Sequence, residues 1–139
     1  MYDKILVAVD QSPVAERVLA AARDLARLSG GEVRVLHLRE REIMGGRGGV
    51  VDYETGDEAR ATAGRAVQAL AQDGITASGE ARNTPFGHAA REIVGEAREF
   101  GAAVIVMGSR GHGDLAGLVL GSTAHKVIHL ADRPVLVVR

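Results

Sequence analysis

The sequence predicts an α/β protein built on an open parallel sheet with helices on both faces. Apolar stretches of strand length alternate five times with segments of helical periodicity along the 139 residues. Such alternation is typical of parallel strands joined by right-handed helical crossovers. Two stretches, 5–9 and 102–107, are apolar throughout, as strands covered on both faces are. No internal repeat or linker divides the chain, so we expect one domain over residues 1–139.

The composition restricts the class of protein. Hydrophobic residues make up 46% of the chain but aromatic residues only 3%, which predicts an aliphatic core. With 17 basic and 18 acidic side chains and no basic block, we expect no nucleic-acid partner. The absence of cysteine excludes disulfides and fits a cytoplasmic location. No apolar run approaches the roughly 18 residues of a membrane span, so we expect no membrane association.

The first half of the chain predicts two strands and two helices. Residues 5–9 form the first strand, which Asp10 ends, and Ser12 and Pro13 are suited to the N-cap and first position of a helix. Gly30 and Gly31 stop that helix, and 32–38 reads as the second strand. A second helix is predicted from Asp57 to Asp73 by a repeating apolar stripe: Ala59, Ala63, Ala66, Val67 and Leu70.

Between these elements, residues 39–56 show no periodicity, and we expect a mobile loop there. Its glycine-rich part, 45–49, resembles a phosphate loop only by glycine count. No apolar strand leads directly into it and no lysine follows, which favours a flexible connector.

The second half predicts three more strands. Residues 75–82 alternate apolar with polar, as a half-exposed edge strand does. A third helix follows Gly87 and His88 and stops at Gly101. The buried fourth strand covers 104–107. A last helix and the fifth strand are predicted at 122–131 and 135–139, separated by Asp132, Arg133 and Pro134.

The stretch 107–123 predicts an anion site. It runs from the buried fourth strand to a helix start and contains five glycines and the hydroxyl pair Ser122 and Thr123. Backbone N–H groups of such a loop, with the positive end of a helix, can converge on a phosphate. If the first and fourth strands are neighbours, Asp10 and Gly108 face each other across one crevice.

Several familiar sites are excluded or disfavoured. The chain contains no Gly-Lys pair and so no P-loop. Residues 111–116 match a dinucleotide motif but lack the expected strand with an acidic residue about 20 positions on. A phosphoacceptor receiver domain needs an acidic pair where Asp10 is followed by Gln11. His125 and His129 have the spacing of metal ligands but lack an evident third ligand, so we assign no metal ligand among the protein residues.

A longer pattern identifies a family resemblance. Gly108-x2-Gly111-x9-Gly121-Ser122 resembles the signature G-x2-G-x9-G-[S/T] of the ATP-binding branch of the universal stress protein family. Blocks at 4–10, 35–38, 104–111 and 133–138 also match the family, in the same order, so the resemblance covers essentially the whole chain. It implies the adenine nucleotide alpha-hydrolase-like fold, with five parallel strands in the order 3-2-1-4-5.

The resemblance also implies a set of nucleotide-binding residues. Asp10, beside Val9, would lie near the ribose and the metal-bound phosphates, and the backbone of Leu38 would meet the adenine. Met107 and Gly108 would pack near the base and ribose. The phosphates would lie at the remaining positions of the motif: Arg110, Gly111, His112, Gly121, Ser122 and Thr123.

One departure from a strong phosphate site affects the expected cofactor. No lysine or arginine lies between Gly111 and Gly121, and Asp114 adds negative charge. Phosphate neutralisation would then depend on Arg110, the helix end and a bound cation. We therefore expect ATP to bind with Mg²⁺ or Mn²⁺ held mainly by the phosphates.

The expected function is a nucleotide-binding module in a stress response or in signalling, not an enzyme. No catalytic residue is assigned, because no dedicated base or arginine finger is apparent beside the phosphates. A slow ATPase and a sensor of AMP or cyclic AMP stay open as alternatives. The resemblance further implies a homodimer that pairs the apolar last strand, 135–138, across a two-fold axis.

Overall fold

The computed structural model describes residues 1–44, 49–52, 54–109 and 120–139. Strands and helices alternate, except where a short strand follows the second one directly. In chain order the elements are β1 (Lys4–Val9), α1 (Ala15–Ser29), β2 (Glu32–Met44), β3 (Gly49–Asp52), α2 (Gly56–Gln72), β4 (Ala77–Pro85), α3 (Ala89–Phe100), β5 (Val104–Gly108), α4 (Ser122–Leu130) and β6 (Val135–Val138).

Five of the strands form a parallel sheet in the order β4-β2-β1-β5-β6. This is the order 3-2-1-4-5 of the five expected strands, which confirms the predicted fold. The two most apolar strands, β1 and β5, lie side by side at the centre, with Val7 opposite Val106. The alternating strand β4 pairs only with β2 among the described strands, as an edge strand should.

The prediction of a structureless segment at 39–56 is wrong. β2 continues to Met44, and its end pairs antiparallel with β3, with Arg41 opposite Asp52. The long β2 also lets β4 run three residues beyond its predicted end, to Pro85 opposite Arg41. Of the predicted connector 45–49, Gly49 begins β3, and 45–48 lie outside the described residues.

The predicted start of the first helix is also wrong. α1 begins at Ala15, and neither Ser12 nor another side chain caps it. Instead the Asp10 carboxylate accepts a hydrogen bond from the Ser12 backbone N–H, at 2.8 Å from Oδ1. This Asx-type turn delays the helix, because it holds the backbone in a turn conformation after β1. The stops at Gly30 and Gly101 are confirmed, and both adopt a left-handed φ, of 70° and 73°.

The core divides between the two faces of the sheet. Odd-numbered residues of β1, such as Ile5 and Val7, pack with α1 and α2, whereas Leu6 packs with α3 and α4. Aliphatic side chains fill both layers, as the composition predicts. Within the described ranges, no helix has the length and apolarity needed to cross a bilayer.

An ion-pair network joins α3 to the edge of the sheet. Glu96 is only 3% exposed, and its carboxylate accepts a hydrogen bond from Arg82 Nη2 at 2.6 Å. Arg34 Nε lies 3.0 Å from the other carboxylate oxygen, as an ion pair without hydrogen-bond geometry. Arg82 also contacts Glu80 and Glu92. Burial lowers the pKa of Arg82, but hydrogen bonds to these three glutamates outweigh it and raise that pKa above its usual value.

Glu96→Gln should destabilise the fold by roughly 2–4 kcal/mol, because it leaves Arg82 and Arg34 without their buried counter-charge. Both arginines keep about a third of their side chains exposed, so the loss lies at or below the usual range for a buried pair. Urea denaturation measures the change. Glu99→Gln, on the exposed face of the same helix, is the control and should change stability little. A Glu96→Gln protein as stable as this control would contradict the role of the network.

Candidate functional site

A cleft of about 410 Å³ opens at the carboxyl ends of β1 and β5, beside the middle of β2. Its volume lies in the range of small-molecule sites, roughly 300–1,000 Å³. Because β1 and β5 are neighbours and the chain leaves them towards opposite sides, this is the switch point at which open α/β sheets bind ligands. The sequence-based expectation that Asp10 and Gly108 share a crevice depended on that pairing, and both line the cleft.

Most of the residues predicted from the sequence come together here. Gly121 does not line the cleft. It is the N-cap of α4, directly before Ser122, and its N–H donates a hydrogen bond to the carbonyl of Ser109. Arg110, Gly111 and His112 lie outside the described residues. The predicted residues that line the cleft are Val9, Asp10, Leu38, Met107, Gly108, Ser122 and Thr123.

The first residues of three helices line this cleft. Ala15 begins α1, Ala89 begins α3 and Ser122 begins α4, and all three line it. None of the three helices has a side-chain N-cap hydrogen bond. The first N–H groups of a helix have no partner within the helix, and they carry its partial positive charge. The cleft therefore offers backbone donors and a favourable potential to an anion.

Asp10 lines the same cleft as the start of α4 and provides a partly free carboxylate. Its Oδ1 accepts from the Ser12 N–H, while Oδ2 makes no hydrogen bond with a described residue. The side chain is half-buried. A carboxylate held this way can accept from hydroxyl groups or contact a cation.

A hydrogen-bonded cluster at the β2 side of the cleft joins His37, Glu54 and Gln11. His37 is buried, with Nδ1 2.8 Å from the Val9 carbonyl oxygen and Nε2 2.6 Å from Glu54 Oε1. The second Glu54 oxygen accepts from the Gln11 amide at 2.9 Å. Since a carbonyl only accepts, Nδ1 must carry a hydrogen, and a proton must also lie between Nε2 and Glu54. The cluster fixes the end of β1 against β2 and the segment leading into α2.

The sequence reasoning missed other residues of the lining, among them Glu40, Glu54, Phe86 and Lys126. Glu40 and Glu54 belong to the segment without periodicity, where no pattern assigns a direction to a side chain. Phe86 is 57% exposed at the cleft margin, and a lone aromatic between proline and glycine could have signalled it. Lys126 is four residues after Ser122, and this helical spacing could have placed both on one face.

The described residues contain no group of three or more histidine, cysteine or acidic side chains that could hold a metal ion. His125 and His129 contact each other edge to face, with ring centroids 4.6 Å apart. In the cleft, the free Asp10 oxygen is suited to one contact with a cation whose other ligands come from elsewhere. This donor set fits a divalent ion held mainly by the phosphates of a ligand.

The fold and this site together define an open parallel α/β protein with an anion-accepting cleft at its switch point, and sequence comparison identifies the family. The sequence model of the universal stress protein family matches residues 1–139. The chain is 33% identical to universal stress protein YxiE of Bacillus subtilis, with 100% of both proteins covered. It belongs to the universal stress protein family.

Solved structures of the family share the whole fold. MJ0577 of Methanocaldococcus jannaschii superposes with a TM-score of 0.81 at 27% identity, over 99% of this chain and 96% of that one. The universal stress protein of Archaeoglobus fulgidus in complex with dAMP gives a TM-score of 0.73 at 32% identity, over 99% and 98% of the two chains. That relative binds an adenine nucleotide.

His37 should carry its hydrogen on Nδ1 in every protonation state, because its partner there is the Val9 carbonyl. In Glu54→Gln, the amide can donate to Nε2, so the neutral ring should keep the Nδ1–H tautomer. Long-range ¹H–¹⁵N correlation spectra distinguish the two tautomers, with the exposed His88 as an internal control. An Nε2–H tautomer at His37 in this variant would show that the described hydrogen bond to Val9 is wrong.

Proposed function

We propose that this protein binds ATP in the cleft and acts as a nucleotide-dependent module in a stress response or in signalling. The supporting observation is that Asp10, which follows β1, and the N-terminus of α4, which follows β5, line one cleft between these neighbouring strands. The anion-binding character of that helix start and the dAMP-bound relative at 32% identity point to the same ligand class.

The cleft suggests how the nucleotide lies. Its β2 side includes the apolar side chains of Leu36 and Leu38, in the middle of that strand, where the adenine would pack and meet the backbone. Asp10 would accept from the ribose hydroxyls. The phosphates would lie at Ser122 and Thr123, where hydroxyl and N–H donors meet the positive helix end. The family motif adds Arg110, Gly111, His112 and Gly121 to the proposed phosphate site.

The cleft supports binding better than turnover. Rapid ATP hydrolysis needs a group that positions water and electrostatic support beside the terminal phosphate. Among the described lining residues, Glu54 is hydrogen-bonded to His37 and Gln11, and one oxygen of Asp10 accepts from the Ser12 N–H. Neither carboxylate is therefore a dedicated base for water. We therefore propose a binding protein with at most slow hydrolysis.

ATP affinity should fall about tenfold or more when EDTA removes divalent cations, because the acidic cleft then faces unscreened phosphates. Asp10→Asn keeps an acceptor for Ser12 but loses the charge that contacts the cation, so it should reduce this Mg²⁺ dependence. Isothermal titration calorimetry with Mg²⁺ or EDTA measures both effects. Asp3→Asn, exposed before the opposite end of β1, is the charge-matched control.

Equal ATP affinity with Mg²⁺ and with EDTA would overturn the metal-assisted site. Phosphate release measured in the same samples tests the binding-module proposal. Turnover of ~1 s⁻¹ or above would establish an ordinary enzyme instead.

The dAMP-bound relative favours a second candidate, a sensor of AMP or a related monophosphate such as cyclic AMP. The two proposals differ in whether the terminal phosphates add affinity. Tighter binding of AMP or cyclic AMP than of ATP in the same titrations would select the sensor.

We also propose that β6 pairs with its counterpart in a homodimer. β6 pairs only with β5 among the described strands, so its other edge has free backbone donors and acceptors. Leu136 is 41% exposed on this strand, and Ile128 and Leu130 of the adjacent α4 are also exposed. An apolar strand edge beside exposed aliphatic side chains is suited to a two-fold interface.

Leu136→Glu should weaken the dimer at least tenfold and leave the monomer folded, because the side chain is exposed and the charge would be buried only in the interface. Light scattering over a concentration series measures the dissociation constant. Leu28→Glu, on α1 and 87% exposed, is the matched control. A wild-type protein that is monomeric throughout, or a Leu136→Glu dimer of unchanged affinity, would contradict this interface.

A further inference from the structure

We infer that Lys126 is the side chain that neutralises the terminal phosphates of the bound nucleotide, and that it makes affinity increase with the number of phosphates. This inference rests on the proposed nucleotide binding. Sequence reasoning found no lysine or arginine between Gly111 and Gly121 and assigned neutralisation to Arg110, the helix end and a cation. The structure adds a lysine from within α4 to the lining of the cleft.

The position of Lys126 on α4 directs it towards the phosphate end of the cleft. It follows Ser122 by four residues, so the two lie on one face of the helix, one turn apart. Side chains of a helix tilt towards its N-terminus, so the stem of Lys126 extends back over the turn that begins at Ser122. Its ammonium group can therefore reach an anion bound by the first N–H groups of α4.

Lys126 is available for such a contact. Its side chain is exposed, and it makes no ion pair or hydrogen bond with a described residue. The ammonium can therefore move to the ligand without breaking a contact with the described part of the fold. A lysine is suited to this task, because its three donors sit on a flexible stem and adapt to successive phosphates.

The charges around Lys126 show why it matters. The other charged side chains that line the described part of the cleft are carboxylates, from Asp10, Glu40 and Glu54. The proton shared between His37 and Glu54 leaves that pair without net charge, so Asp10 and Glu40 remain as the acidic side chains of the described lining. Within the described lining, Lys126 is thus the only lysine or arginine, and a polyphosphate would otherwise meet mainly negative side chains. Helix ends act only within about one turn.

The effect of Lys126 should depend on the ligand. The helix start and Asp10 hold the ribose and the first phosphate, which every adenine nucleotide has. Each added phosphate brings charge within reach of the ammonium, and a charge-assisted hydrogen bond of this kind is worth about tenfold in affinity. Adenosine has no phosphate, so its affinity should not depend on Lys126.

The test is a titration of adenosine, AMP, ADP and ATP against wild type and Lys126→Gln at one Mg²⁺ concentration. We expect adenosine affinity to be unchanged, AMP affinity to fall about threefold or less, and ATP affinity to fall about tenfold. Lys126→Arg should restore most of the ATP affinity. Arg91→Gln, an equal charge change on the exposed face of α3 away from the cleft, should bind every ligand as wild type does.

The outcomes separate this inference from the proposed function. If wild type binds the nucleotides and Lys126→Gln binds ATP as tightly, or loses adenosine and ATP equally, the assignment of Lys126 is wrong while nucleotide binding stands. If wild type binds none of the four ligands, the proposed function fails and the inference fails with it. A loss in Arg91→Gln equal to that in Lys126→Gln would show a general charge effect and would also overturn the assignment.

Discussion

Strands β1 and β5 lie side by side at the centre of the sheet, and the chain leaves them towards opposite edges. From β1 it crosses through α1 to β2, and from β5 it crosses through α4 to β6. The two connections diverge, so a crevice opens where the strands end. The continuous apolar character of both strands imposes this central pairing, because only the middle of the sheet is covered on both faces. Asp10 and Gly108 owe their proximity to it.

The electrostatics of the crevice follow from the same topology. The parallel strands β1, β4 and β5 are each followed by a helix that starts at their carboxyl ends, so α1, α3 and α4 bring their N-termini to one place. Carboxylates line the same space, and that combination disfavours a free polyanion but suits a nucleotide that arrives with a cation. Hydrogen bonds of the His37–Glu54 cluster hold β2 next to Leu38, whose side chain lines the cleft.

Sequence alone predicted the parallel strands and the helices, because buried strands and helix stripes have strong periodicity, and seven of the residues that line the cleft. It failed at 39–56, where β2 continues through Arg39, Glu40 and Arg41. Polar residues on both faces of a strand have no hydrophobic period, and only pairing with β3 and β4 makes them extended. Glu54 and Lys126 were missed for a related reason. Their roles depend on which way a polar side chain points, and that is settled by tertiary packing.

The central claim is that an adenine nucleotide occupies the crevice between β1 and β5, with its phosphates at the start of α4. Backbone amide NMR during titration with Mg-ATP tests it most directly. We expect saturable chemical-shift changes concentrated at Asp10, Leu38, Gly108 and Ser122, with little change near Gly31, at the amino ends of the strands. No shifts at millimolar ATP, or shifts centred away from this crevice, would contradict it.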